Sequence, residues 1–323
     1  MNLDTLGLAP LTDDMSRVEL ELATTVRNSD AFLSDVAAHL LSAGGKRLRP
    51  ALTLASYYAA CGDERASDAA VTGAAAVELV HLGSLYHDDV IDEAATRRGV
   101  PSVNARWNNI TAILSGDYLL AQASGLAASL GADVAALLAA TIAELCRGEV
   151  LELQHLFDAE RTVASYLSAI DGKTAALFAT SCRIGGMVSG VSEPTLHALD
   201  TFGRNLGMCF QIIDDVLDLT ADDAALGKPA GNDIAEGVYT LPVLYAIEAN
   251  PTVRDLLGGP VTESARNEAR QRTLDADGVG RALTVAREHA GAASAALNAA
   301  PGLDQRVVHR LSQLVDGLLE RSS

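Results

Sequence analysis

The four cysteines, Cys61, Cys146, Cys182 and Cys209, form no Cys-x-x-Cys pair, which argues against a zinc knuckle and against a disulfide framework. No proline occurs between Pro101 and Pro194, so long helices can run through that part of the chain unbroken. No stretch of useful length alternates apolar and polar residues, and no sheet is expected. The longest apolar runs are interrupted by polar residues at helical spacing, so no membrane span is expected either. The opening residues, MNLDTLGLAPLTDDM, have neither a basic n-region nor an apolar h-region; no signal peptide is expected, and the cytosol is the expected setting. Basic residues are few, 24 Lys and Arg against 42 Asp and Glu, and the net charge of −18 excludes nucleic acid as an expected partner.

Helical pattern fills what remains. Hydrophobic residues make up 49% of the 323, ample for a core, and no internal linker is visible, so residues 1–323 are expected to form a single all-helical domain. Residues 15–43 read as helix, with Ser29 or Asp30 as a cap inside it and Gly44 at its end. The pattern continues over 51–62 and 66–96 and breaks at Gly99-Val100-Pro101. Residues 132–157 and 163–189 carry apolar residues three and four apart, with Ala and Gly allowing close helix approach. Residues 221–237, rich in Gly, Asp and Pro, read as the clearest loop. Shorter helices follow to residue 323, separated at Asn250-Pro251, Gly258-Gly259-Pro260 and Ala300-Pro301.

Two acidic clusters stand out. Residues 78–99 read ELVHLGSLYHDDVIDEAATRRG, an apolar helical run ending in Asp88, Asp89 and Asp92. On a helix Asp88 and Asp92 share a face, while Asp89 points about 100° away. The same Asp-Asp-x-x-Asp spacing recurs as Asp214, Asp215 and Asp218 in QIIDDVLD. A lone acidic pair is usually a solvated helix face. Two matching clusters in apolar surroundings are costly unless a cation compensates them. Hard oxygen donors without nearby cysteine favour Mg²⁺, held by a few carboxylates and the oxygens of a phosphorylated substrate.

Local cations supply the complementary charge. Arg97 and Arg98 follow the first cluster at a distance suited to gripping the same anion. Lys46, Arg47 and Arg49 crowd the turn AGGKRLRP, which lacks P-loop spacing but is a candidate phosphate seat. Lys173 lies in AIDGKTAALFAT, where it either snorkels to solvent or projects into a polar cavity. Lys228 is the single cation of the 221–237 loop, which is expected to close over the metal site and bring this lysine to the substrate anion. Metal ions and these cations would reverse the field of an acidic chain at one place.

The motifs GGKRLRP, DDVIDEAATRRG, GKT, FQIIDDVLD and GKPAGNDIAEGVYTLP, in this order across residues 44–242, resemble the trans-polyprenyl diphosphate synthases. The resemblance implies a large all-α bundle around a deep central cavity, assembled as a homodimer. Its aspartate clusters face each other and hold three Mg²⁺ ions on the diphosphate of an allylic substrate. By matching motifs Asp88, Asp92 and Asp214 are metal ligands, with Asp89, Asp215 and Asp218 in support. Lys46, Arg49, His81 and Arg98 are then the isopentenyl diphosphate ligands. Arg97, Lys173 and Lys228 bind the allylic diphosphate, and Thr174 and Gln211 line the reactive carbon. No Ser, Cys or His nucleophile is needed for such chemistry, and none is evident.

Product length is expected to follow from the turns before Asp88, where Val80, Gly83 and Ser84 occupy the floor of the cavity. Small residues there, in place of an aromatic plug, favour a product beyond C20 over the C15 or C20 of a farnesyl or geranylgeranyl diphosphate synthase. Tyr118 and Phe178 are the alternative blocks. A long product partitions into membranes, so transient membrane contact is expected at its release. A reading of another class exists. Glu78 with His81 and Glu152 with His155 form two Glu-x-x-His pairs, as in di-iron carboxylate bundles, but that reading leaves the aspartates and the basic motifs unexplained. A terpene cyclase and a non-catalytic partner subunit are further alternatives. The first lacks its Asn/Ser/Glu motif here, and the second typically loses aspartates that this chain keeps.

Overall fold

Local capping chemistry sets several helix starts in the computed structural model of the protein, which describes residues 6–62, 64–221 and 230–321. Helix α1 (Leu11–Thr25) precedes α2 (Ala31–Ser42), whose Asp30 side chain accepts a hydrogen bond from the Leu33 amide at 3.0 Å. Helix α3 (Leu48–Cys61) starts from left-handed Arg47, and α4 (Asp68–Ile91) from a Ser67 cap. Short α5 (Val103–Arg106) leads to α6 (Asn109–Ser129), capped by Asn108, and then to α7 (Ala132–Leu153). Each such cap contributes about 1 kcal/mol. Thr162 caps α8 (Val163–Ile170), which passes into a π-helical turn at Asp171–Ala175 and on into α9 (Ala176–Ser189). Then come α10 (Glu193–Thr220), α11 (Asn232–Glu236), α12 (Leu241–Ala249), a 3₁₀ turn (Pro251–Leu256), α13 (Glu263–Asp275), α14 (Gly278–Ala299) and α15 (Gln305–Glu320). The all-α class expected from the sequence is what the chain adopts.

One local departure matters. Helix was expected to residue 96, yet α4 ends at Ile91, with Asp92 as its cap. Asp88, Asp89 and Asp92 crowd the carbonyl end of the helix, where negative charge opposes the helix dipole. Glu93 then turns left-handed at φ 50°, and Thr96–Arg97 (β1) pairs antiparallel with Val100–Pro101 (β2). The hairpin loop is Arg98-Gly99, both at positive φ (54° and 77°), which matches the twist of the paired strands. The two-residue ladder is the only sheet among the described residues.

The chain forms two compact units built from interleaved segments. The first comprises residues 1–142, 180–200 and 299–311. Helix α4 is its centre: Ala70, Val71, Ala74 through Val80, Leu82 and Tyr86 are buried, so the helix is covered on nearly all sides. By length and composition α4 could cross a membrane, but 72% of its apolar window is buried inside the fold. Gly83 lets α4 approach α6 closely, because a Cβ there would sit 3.1 Å from the Gly116 carbonyl oxygen.

The second unit comprises residues 143–179, 201–298 and 312–323. Tyr166, Phe178, Phe202 and Tyr239 are its largest buried side chains, and the rings of Phe178 and Phe210 lie 5.3 Å apart. Burial of each such side chain contributes about 1.5–3 kcal/mol.

Candidate active site

In the first unit the basic turn and the arginine pair meet. Gly45, at φ 149°, lies so close to the Arg98 guanidinium that a Cβ would be 2.8 Å from its Cζ. Arg98 Nη1 donates to the Gly44 and Leu40 carbonyls. Arg47 does not face an anion site. It donates to Glu78 Oε1 at 2.9 Å, Glu19 Oε1 at 2.6 Å and the Leu41 carbonyl at 2.9 Å. Burial, against the pull of Glu78, pushes Arg49 down to about 10, which leaves it cationic at neutral pH. Burial together with Arg49, Arg98, Arg47 and Arg97 holds His81 well below the usual histidine range, so it is neutral there. Lys46 is exposed and borders a separate cavity of about 360 Å³ beside Leu8, Leu11 and Met15.

The aspartate motif of this unit divides its labour. Asp89 is fully buried, and its Oδ1 accepts from Arg97 Nε at 2.7 Å. Burial lifts its pKa despite that arginine. Asp88, in the last turn of α4, is half-buried and Asp92 is exposed; the Asp92 amide donates to the Asp88 carbonyl at 2.8 Å. The helical end therefore presents two carboxylates outward and turns the third inward.

The second unit repeats this division in its first two aspartates and departs from it at the third. Asp214 is exposed, while Asp215 and Asp218 are each 4% exposed. Asp215 Oδ1 accepts from Gln211 Nε2 at 2.8 Å, and its Oδ2 accepts from the Tyr166 hydroxyl. Burial and the neighbouring Asp233 raise Asp215 well above the usual carboxylate range. Gln211 in turn accepts from Thr174 Oγ1 at 2.8 Å, so Thr174, Gln211, Asp215 and Tyr166 form one chain of hydrogen bonds. Asp218 Oδ2 accepts from the Asp233 amide at 3.2 Å, and its carbonyl from the Gly231 amide at 2.8 Å, tying the start of α11 back to α10.

Lys173 projects from the π-turn to two carboxylates of α7, Glu149 at 2.8 Å and Glu152. Burial disfavours its charge, but Glu152 and Glu149 more than offset this and hold its pKa above the ordinary lysine value. The lysine is about a third exposed and ion-paired to both glutamates. Lys228 lies outside the described residues. Sequence reasoning overlooked Glu149 and Tyr166, and saw Glu152 only as half of an iron-binding pair. The Glu149-x-x-Glu152 spacing, one helical turn apart after Gly148, was the available signal.

The di-iron alternative is not supported. Glu78 is paired with Arg47, Glu152 with Lys173 and His155 with Asp158 at 2.7 Å. Among the described residues no group of three or more His, Cys, Asp or Glu side chains gathers in a metal-holding arrangement.

At the proposed chain-length floor, Val80 is buried, Gly83 faces Gly116 and Leu120 of α6, and Ser84 Oγ donates to the His81 carbonyl at 2.9 Å. Tyr118 hydroxyl lies 3.4–3.5 Å from the carbonyls of Arg27 and Val26.

Residues 30–274 match the family model described as polyprenyl synthetase. The chain is 39% identical to the nonaprenyl diphosphate synthase of Mycobacterium tuberculosis, over 98% of this chain and 95% of that one. It is 43% identical to heptaprenyl diphosphate synthase component 2 of Geobacillus stearothermophilus, over 80% and 81%. Its fold is similar to the crystal structure of a polyprenyl synthase from Caulobacter crescentus complexed with calcium and isoprenyl diphosphate. That similarity has a TM-score of 0.91 and 33% identity, covering 100% of this chain and 98% of the other.

Proposed function

The chain belongs to the polyprenyl synthetase family, and we propose that it condenses isopentenyl diphosphate head to tail with an allylic diphosphate, giving an all-trans polyprenyl diphosphate longer than C20. The observation that carries this reading is the shared division of the two aspartate motifs. Each turns its second carboxylate into a hydrogen-bonded interior and leaves its first outward. The relatives named for nonaprenyl and heptaprenyl products support the long chain.

Asp88 and Asp92 of the first unit and Asp214 of the second each carry hard carboxylate oxygens of the kind that suits Mg²⁺, and the calcium-bound relative supports a divalent ion. Three Mg²⁺ ions bound there would neutralise the diphosphate of the allylic substrate as its charge grows. The chain's own cations do the rest. Lys173, Arg97 and Lys228 bind the same diphosphate. Lys46, Arg49, Arg98 and neutral His81 bind isopentenyl diphosphate. As the allylic carbon–oxygen bond breaks, its electron pair goes to the departing diphosphate, and fixed cations stabilise that charge without reorganising. The double bond of isopentenyl diphosphate attacks the allylic carbon, and a proton passes from the resulting cation to the departed diphosphate, restoring an alkene. Thr174 and Gln211, locked by the Asp215 and Tyr166 hydrogen bonds, line the reacting carbon.

The protein is proposed to work in the cytosol as a homodimer, with transient membrane contact when its apolar product leaves. Ile110, Ile113 and Leu114 form an exposed apolar stripe on α6 that a second copy would cover. Labelled isopentenyl diphosphate tests the reading on the purified chain alone. Incorporation with an allylic primer and Mg²⁺, abolished by a chelator, is expected. No incorporation under any divalent ion would contradict self-sufficient catalysis.

A further inference from the structure

The backbone that carries Lys173 is held by an ion-pair network with no part in the motifs. Helix α7 and the π-turn cross where neither has a side chain. A Cβ on Gly148 would lie 2.3 Å from the Lys173 amide nitrogen, and one on Gly172 would lie 2.7 Å from the Glu144 carbonyl oxygen. Backbone packed on backbone in this way has no interdigitating side chains to fix its register. Beside the ion pairs of Lys173 itself with Glu149 and Glu152, Arg204 of α10 supplies a second lock. Its Nη1 lies 2.7 Å from Asp171 Oδ2 and its Nη2 lies 3.1 Å from Glu144 Oε2. Asp171 is the first residue of the π-turn, and Glu144 stands one helical turn before Gly148. One guanidinium thus ties together both sides of the crossing.

We propose that Arg204 is a positioning residue for the reaction: by joining Asp171 to Glu144 it fixes the π-turn against α7 and so aims Lys173 at the substrate diphosphate. The inference rests on the reading of Lys173 as a ligand of the allylic diphosphate. A π-turn is rare and holds one more residue than the α-helical turn that competes with it. Reverting to α geometry would swing Lys173 by about 100° around the helix, away from Glu149 and Glu152. All three side chains of the lock are about a third exposed (34%, 35% and 31%), so solvent leaves them little to contribute to global stability. Arg204 and Asp171 also border an open cavity of about 710 Å³ with Asn205, Met208 and His289, so truncating Arg204 leaves no sealed void. What the network supplies is geometry.

The test is steady-state kinetics of Arg204→Ala, Arg204→Lys and Lys173→Ala, with KM measured separately for the allylic primer and for isopentenyl diphosphate. Arg204→Ala is expected to raise the allylic KM about tenfold while the other KM stays within about twofold, and Arg204→Lys to restore part of the loss. An unchanged allylic KM, or an equal rise in both, overturns the proposal. Lys173→Ala separates the two levels. If it leaves the allylic KM unchanged, the reading of Lys173 fails and the inference falls with it. If it raises that KM and Arg204→Ala does not, only the inference fails. Should Arg204→Ala melt below the assay temperature, Asp171→Asn and Glu144→Gln, which each remove one arm, decide the question by the same KM split.

Discussion

Arg97 donates to Asp89 through a 2.7 Å hydrogen bond that turns the second carboxylate of the first aspartate motif into the protein interior. Asp88, its neighbour in sequence, stays at the outer end of the same helix. Adjacent residues on a helix point about 100° apart, so one carboxylate of a doublet can serve the fold while the other serves a ligand. The second motif repeats this with Asp214 and Asp215, through Tyr166 and Gln211 in place of arginine.

Substitution should separate the two roles. Asp88→Ala is expected to lower kcat/KM by about a hundredfold or more with little change in melting temperature. Asp89→Ala removes a buried acceptor and should cost about 1–3 kcal/mol of stability, visible in a thermal or urea melt. Equal melting temperatures for the two variants would remove the distinction.

The floor of the product cavity gives a second test. Gly83 is small because α6 passes 3.1 Å from where its Cβ would be, so Gly83→Phe should overpack the α4–α6 contact and destabilise by about 1–3 kcal/mol or more. Ser84 is half-buried one residue along the same helix, and Ser84→Phe should shorten the product. Mass spectrometry of the Ser84→Phe products showing an unchanged length would move the floor to another helix.

Much of this was legible in the sequence, and the parts that were not have physical reasons. The Asp-Asp-x-x-Asp spacing, the crowded arginines and the absence of proline over the central helices are local signals, and they identified the class. Which aspartate of each doublet is buried depends on Arg97 and Tyr166, partners eight and 49 residues away whose approach no periodicity encodes. Helix was expected through residue 96 because the apolar period gives no warning of charge accumulating at a carbonyl end. The π-turn falls inside the 163–189 helical pattern and has no periodic signal of its own. An extra residue in one turn looks, in sequence, like ordinary helix with a glycine in it.

Histidine 81 should give a characteristic pH profile of stability. Its folded pKa lies well below 6.5, the ordinary value that applies in the unfolded chain. Below about pH 6.5 the unfolded chain takes up a proton that the folded chain refuses, so stability falls as pH drops through that region. Above it this residue adds no pH dependence. His81→Gln should therefore melt with less loss than the parent between about pH 6.5 and 5, and the difference should be flat from pH 7 to 8. A difference that stays flat over the whole range would contradict a neutral, cation-surrounded His81.

Tyr166→Phe tests the hydrogen-bonded chain that ends at Thr174. Loss of the hydroxyl leaves Asp215 Oδ2 without its tyrosine donor, and a cost of about 1–3 kcal/mol is expected in denaturant melts. Because Gln211 still holds Asp215 Oδ1, catalysis should weaken rather than vanish. Full stability in this variant would show that the buried carboxylate has no need of the tyrosine.

Product sizing tests the central claim most directly. Purified chain would receive Mg²⁺, isopentenyl diphosphate and, in separate reactions, C10, C15 and C20 allylic diphosphates, with products measured by mass spectrometry. The account predicts a ladder of all-trans products extending past C20 from the C10 or C15 primer. Condensation of the C10 and C15 primers that stops at C15 or C20 would contradict the long-chain assignment, and no condensation at all would contradict the proposed reaction for this chain acting alone.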